Sequence, residues 1–239
     1  MLFIPGKWTE KELDRMIREA SRIGDAGARI AFLSREFLGA DYREFTLIGS
    51  MITPEVFVVD LAGVDCFTFI DYVEAMRISS SMPDFIGSLR NIRYRGGDVS
   101  FENRNHFFTD WREFNAAFVE DVTPEVGKSA TVTVPKTLNK KEDGSAWVEG
   151  IRPVQRQIAY VPSQAVDKEV LAGLRTGDYA GIYSAAPGLD VSHAGIIVKD
   201  KGDVCLRHAS SRHRKVVDED LISYISVNPG LIILRPLAG

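Results

Sequence analysis

Two periods of apolar spacing divide this chain. In the first half the period is helical. Leu13, Met16, Ile17 and Ala20 share one face behind Thr9, a capping residue whose capping-box partner is Glu12, so a helix is predicted from Thr9 to about Ile23. Gly24 and Gly27 punctuate it, and a second helix is predicted from Ala28 to Leu38, burying Ile30, Ala31, Leu33 and Phe37. A short apolar run, Val56 to Val59, then precedes a third helix, in which Phe69, Tyr72, Val73 and Met76 recur at i, i+3, i+4 and i+7. Pro83 opens a helical turn reaching Leu89, and Arg93 to Gly97 is turn-rich. Asn103 to Trp111 mixes polar and aromatic residues without a clean period; it reads as a packed loop leading into a helix near Trp111 to Val119.

From Ser129 the pattern becomes that of strands. Thr131 to Val134, Ile158 to Val161, Tyr179 to Tyr183, Ala194 to Val198, Val204 to Ala209 and Leu231 to Leu234 are rich in strand formers. Helices are predicted at Asp167 to Leu174 and Asp218 to Ile225. Helices first, then a mostly antiparallel sheet, predict an α+β fold. The expected organisation is a single catalytic domain over residues 1–239, with a helical extension at 1–27 and a β-rich insertion or subdomain at 120–165.

Cys66 sits where a loop enters the third helix. Free N–H groups and the positive end of the helix dipole favour a thiolate there, and the same N–H groups suit an oxyanion. The plain alternative is a small buried hydrophobe. A cysteine nucleophile needs a base, and the base needs an orienting group. The stretch from Ser192 to His208 reads as a hairpin. With Lys201-Gly202 as a two-residue turn, Val198 faces Cys205 and Gly195 faces His208, so His193 and His208 are diagonal neighbours on one face. Cys205 then points away and reads as packing.

Composition narrows the partners. A net charge of -4 and the absence of a Lys/Arg block give no reason to expect nucleic acid. Two cysteines make no disulfide framework. No apolar run approaches the roughly 20 residues that cross a bilayer. Met1 to Pro5 is too short for a signal-peptide core, so either the chain stays in the cytoplasm or it begins after a removed leader.

Asp65-Cys66 opening a helix, Ser192-His193-Ala194-Gly195 opening a strand and His208 on the next strand resemble the NlpC-like cysteine peptidases of the papain clan. The chain resembles more closely that clan's N-acetylmuramoyl-L-alanine amidase-like group. Phe37 to Tyr42, Asn105 to Trp111, Leu138 to Lys141, Gly188 to Gly195, Leu206 to Ser211 and Leu234-Arg235-Pro236 extend the similarity. The resemblance implies a papain-like α+β fold, Cys66 as nucleophile, His193 as general base and His208 as its orienter. It implies a peptidoglycan or muropeptide substrate cut between the muramyl lactyl group and L-alanine, and a cell-envelope or periplasmic location. Tyr42 matches a tyrosine near the family nucleophile, although Asp41 stands where proline is usual.

The expected reaction is thiol attack on the amide, with the Cys66 N–H and Tyr42 holding the oxyanion. Asp65, Arg104, His106, Asp110 and Ser192 are candidate oxyanion or substrate contacts, Arg104 toward a stem-peptide carboxylate. No cofactor and no metal are expected, and the chain is taken as a monomer. The alternatives are an endopeptidase cutting after D-glutamate, a metal hydrolase using Cys66, His193 and His208 as ligands, and a non-catalytic wall-binding module.

Overall fold

Capping chemistry sets the first helix where the spacing predicts it. The Thr9 hydroxyl accepts from the Glu12 N–H at 3.2 Å, and the Glu12 carboxylate accepts from the Thr9 N–H at 2.8 Å. The structure, a computed structural model, describes residues 1–237. In chain order the elements are β1 (Leu2–Ile4), α1 (Glu10–Ala20), α2 (Ala26–Arg35), β2 (Asp41–Tyr42), β3 (Val58–Asp60), β4 (Gly63–Val64) and α3 (Cys66–Arg77). Then follow α4 (Met82–Arg93), α5 (Phe108–Phe114), β5 (Val119–Asp121), α6 (Thr123–Gly127), β6 (Val132–Leu138) and β7 (Val154–Pro162). The chain continues through α7 (Lys168–Gly173), β8 (Tyr179–Tyr183), β9 (Val191–Asp200), β10 (Asp203–Ser210), β11 (Lys215–Asp220), α8 (Leu221–Ile225) and β12 (Gly230–Pro236).

Three expectations are corrected. The helix expected near Trp111 to Val119 is α5, over Phe108–Phe114, and Val119 opens strand β5. The second helix starts at Ala26 because Asp25 caps it, accepting from the Ala28 N–H at 2.7 Å. Asp218 to Asp220 belong to strand β11, and the helix begins only at Leu221. The acidic triplet reads as a helix N-terminus, but its backbone pairs with β10, Asp218 opposite Arg207.

A ten-stranded curled sheet runs β4-β2-β11-β10-β9-β8-β12-β7-β6, with β5 added beside β12. It is antiparallel except where β2 meets β4. Successive residues feed opposite faces. Ile196, Ala209 and Ile232 join Leu13, Ile17, Phe37, Phe69 and Tyr72 in one apolar cluster, under α1 to α5. Ile197, Leu206 and Ile233 join Val126, Val170, Leu221 and Ile225 in the other, under α6 to α8. The β6–β7 region continues this main sheet through β12.

Helix α3 is buried on nearly every side, so its charged residues need internal partners. Asp71 pairs with Arg93 at 2.8 Å and accepts from the Trp111 indole at 3.0 Å. Glu74 pairs with Arg77 at 2.6 Å and accepts from the Tyr179 hydroxyl at 2.6 Å. These bonds tie the helix carrying Cys66 to α4, α5 and β8.

Candidate active site

The start of α3 is built by Asp65. Its carboxylate accepts from the Phe67 N–H at 3.0 Å and the Thr68 N–H at 2.7 Å, while the Thr68 hydroxyl returns a bond to the Asp65 N–H at 3.0 Å. Two of the helix's orphan donors are thereby used, and the Cys66 N–H is not one of them. Asp65 is thus occupied as a cap. In that role it positions the nucleophile candidate.

Backbone N–H groups of Ala194, Cys66 and Phe67 all favour a thiolate on Cys66, and the first of these puts the sulfur beside the residue that follows His193. They do not prevail. Burial, reinforced by the Asp65 charge, pushes the thiol up to about 12. The expected resident thiolate is corrected: Cys66 keeps some exposed surface, but its surroundings desolvate the charge.

The hairpin β9–β10 has the predicted register. Cys205 lies opposite Val198, and Lys201 and Gly202 form the turn with φ of 49° and 100°. Both left-handed values suit a type I′ turn, which favours glycine at its second position. Gly195 has a different task. A Cβ there would lie 3.0 Å from the His208 Cβ and 2.7 Å from the Leu206 side chain, so the bare glycine leaves room for the imidazole.

His193 Nε2 lies 2.7 Å from His208 Nδ1, and His208 Nε2 lies 2.8 Å from Glu219 Oε2. The carboxylate can only accept, so His208 carries its proton on Nε2. Its Nδ1 then accepts, which obliges His193 to donate from Nε2 and leaves His193 Nδ1 as a free base. Desolvation, with His208 beside it, pushes His193 down to about 3; burial also lowers His208, against the pull of Glu219. Both imidazoles are neutral at neutral pH. Tyr224 packs on them, its ring centroid 5.0 Å from that of His208 and 6.0 Å from that of His193.

Tyr42 pairs in parallel register with Val64, two residues before Cys66, although Asp41 stands at the position before it. Its phenol is raised by burial and by the neighbouring Cys66, and the Arg214 guanidinium lies 5.1 Å from its ring centroid. Ser192 is exposed at the head of β9 and lines the same cavity as His193 and His208.

The remaining candidates are engaged elsewhere. Arg104 pairs with Glu55, also through Nε at 3.0 Å, so an internal carboxylate takes the place expected for one on a stem peptide. His106 Nε2 lies 2.8 Å from the Phe101 carbonyl oxygen, and burial lowers this imidazole to about 4. Asp110 is buried between Arg156 at 2.7 Å and Arg95 at 3.4 Å. Glu219 is the site residue that sequence reasoning missed. Its signal was the parity it shares with Val217, which faces His208 across the ladder.

His208 has both ring nitrogens committed, and among the described residues no three His, Cys, Asp or Glu side chains are grouped to hold a metal. Among the described residues no helix is long and apolar enough to cross a membrane.

A crystal structure of an N-acetylmuramoyl-L-alanine amidase from Bacteroides uniformis is similar over 89% of this chain and 99% of its own, at 26% identity and TM-score 0.73. A second structure of that name matches at 25% identity and TM-score 0.73, over 88% and 98%. A Legionella pneumophila protein shares the fold at TM-score 0.79 over 95% of both chains, at 20% identity. No curated protein sequence matches. The family model described as AmiA-like, N-acetylmuramoyl-L-alanine amidase-like, matches residues 32–231. With the greater part of its length so matched, the chain belongs to the N-acetylmuramoyl-L-alanine amidase-like family.

Proposed function

We propose that this protein is a cysteine amidase of the papain-like kind, hydrolysing the amide between N-acetylmuramic acid and L-alanine in peptidoglycan fragments. The observation that carries the reading is the hydrogen-bonded chain Glu219–His208–His193, which leaves a free imidazole nitrogen on the residue preceding Ala194, whose N–H faces the Cys66 sulfur. Family membership supports a hydrolase of peptidoglycan, and the Bacteroides uniformis neighbours bear the name of this activity.

In the first step the Cys66 sulfur bonds to the amide carbon as its proton passes to His193 Nδ1. The Cys66 N–H, with the Tyr42 hydroxyl, holds the oxyanion. The C–N bond then breaks, and the same proton goes from His193 to the departing L-alanine nitrogen. In the second step water gives a proton to His193 and its oxygen attacks the thioester carbon; the C–S bond breaks and the proton returns to sulfur. The pair starts neutral, so proton transfer accompanies attack, as in a Ser–His pair.

The raised thiol also favours a second reading, a wall-binding module without turnover. Product analysis decides. A defined muropeptide incubated with the protein should yield the intact stem peptide and the free sugar acid by mass spectrometry, and Cys66→Ala should yield neither. A dipeptide left on the sugar would assign the endopeptidase cut after D-glutamate; no product at all would assign the binding module.

A further inference from the structure

The proton taken from Cys66 must reach the departing nitrogen, so that nitrogen lies within hydrogen-bond distance of His193. The half of the substrate that leaves therefore lies on the imidazole side of the sulfur. Beside the imidazoles is a cavity of about 470 Å³, whose lining includes His193, His208, Arg212, Glu219, Asp220 and Asn228, with Cys66 outside it.

Glu219 and Asp220 line that cavity, and each has its own partner. Glu219 is held by His208 at 2.8 Å and lies 3.5 Å from His213. Asp220 caps α8, accepting from the Ser223 N–H at 2.8 Å. Arg212 is exposed and pairs with no carboxylate among the described residues. It stands on the turn between β10 and β11, whose shape is held by the buried Ser210 hydroxyl accepting from the His213 N–H at 3.2 Å. Arg214 on the same turn goes the other way, over Tyr42.

We propose that this cavity is the leaving-group subsite, and that Arg212 binds a carboxylate of the departing peptide. The proposal rests on the amidase reading above and adds its specificity. A guanidinium can take a carboxylate through two parallel N–H···O bonds, and a carboxamide in its place loses the charge and one acceptor. Hydroxyls and the Asn228 amide suit the peptide groups that follow.

The test uses two muramyl peptides with the same sugar, one with a free α-carboxylate on its second residue and one with a carboxamide there. The native protein should favour the carboxylate. Arg212→Gln, at an exposed position, should lose roughly 10- to 100-fold in kcat/KM on the carboxylate substrate, chiefly through KM, and distinctly less on the carboxamide, so that the native preference collapses. An equal loss on both substrates, or no loss, overturns the proposal. Calorimetry of the free stem peptide with Cys66→Ala, with and without Arg212→Gln, separates the two levels. Arg212-dependent binding without turnover by the native protein would keep the subsite and remove the amidase reading. Turnover without Arg212-dependent binding or discrimination would remove the subsite and keep the amidase.

Discussion

At the scale of single residues, the site is set by which donors are left over. Asp65 uses the Phe67 and Thr68 N–H groups and leaves that of Cys66. Glu219 fixes the tautomer of His208, and His208 fixes that of His193. Glu219→Ala should therefore lower kcat by roughly 10- to 100-fold, the range for one charged hydrogen bond, with KM little changed. Glu219→Gln keeps an acceptor and should lose less; equal losses in the two variants would contradict the tautomer argument. Because burial pushes Cys66 up to about 12, iodoacetamide should react more slowly at pH 7 than with a free peptide thiol, and the rate should keep climbing above pH 9. A rate already at its plateau below pH 7 would mean a resident thiolate.

At the scale of elements, the hairpin was legible and its outer neighbour was not. Lys201-Gly202 is a local turn signal, and strand parity then puts His193 and His208 on one face. Glu219 was hidden because Asp218-Glu219-Asp220 carries helix-start residues, while only pairing with β10 makes it a strand. Arg104 could not be separated from a substrate contact by sequence, because its partner Glu55 lies 49 residues away. The Cys66 helix was readable from its apolar spacing; its buried ion pairs were not, since they depend on α4, α5 and β8. Removing one partner leaves a buried charge alone, so Arg93→Ala should destabilise the fold by about 3–5 kcal/mol, measured by urea unfolding. A loss below about 1 kcal/mol would mean that the pair is dispensable. Gly195→Ala should displace His208 and depress activity with little change in stability beyond the hairpin.

At the scale of the whole molecule, folding holds several histidines neutral. His193 and His106 are lowered from 6.5 to about 3 and about 4, so between those values the unfolded chain binds more protons than the folded one. Their contribution to stability is full above pH 6.5 and is lost as pH falls through the folded values. Asp71 and Asp190, raised by burial, act with the opposite sign. The difference between native protein and His193→Gln isolates one group: the native melting temperature should fall more steeply from pH 7 to pH 4. Parallel profiles would contradict the lowered imidazole.

The account turns on a covalent bond between substrate and Cys66. Native protein mixed with a muropeptide, quenched in acid and digested, should show by mass spectrometry the muramyl acyl group on the peptide containing Cys66, and none in Cys66→Ala. Continued release of stem peptide by Cys66→Ala, or an adduct carrying the stem-peptide half in place of the sugar half, would contradict it.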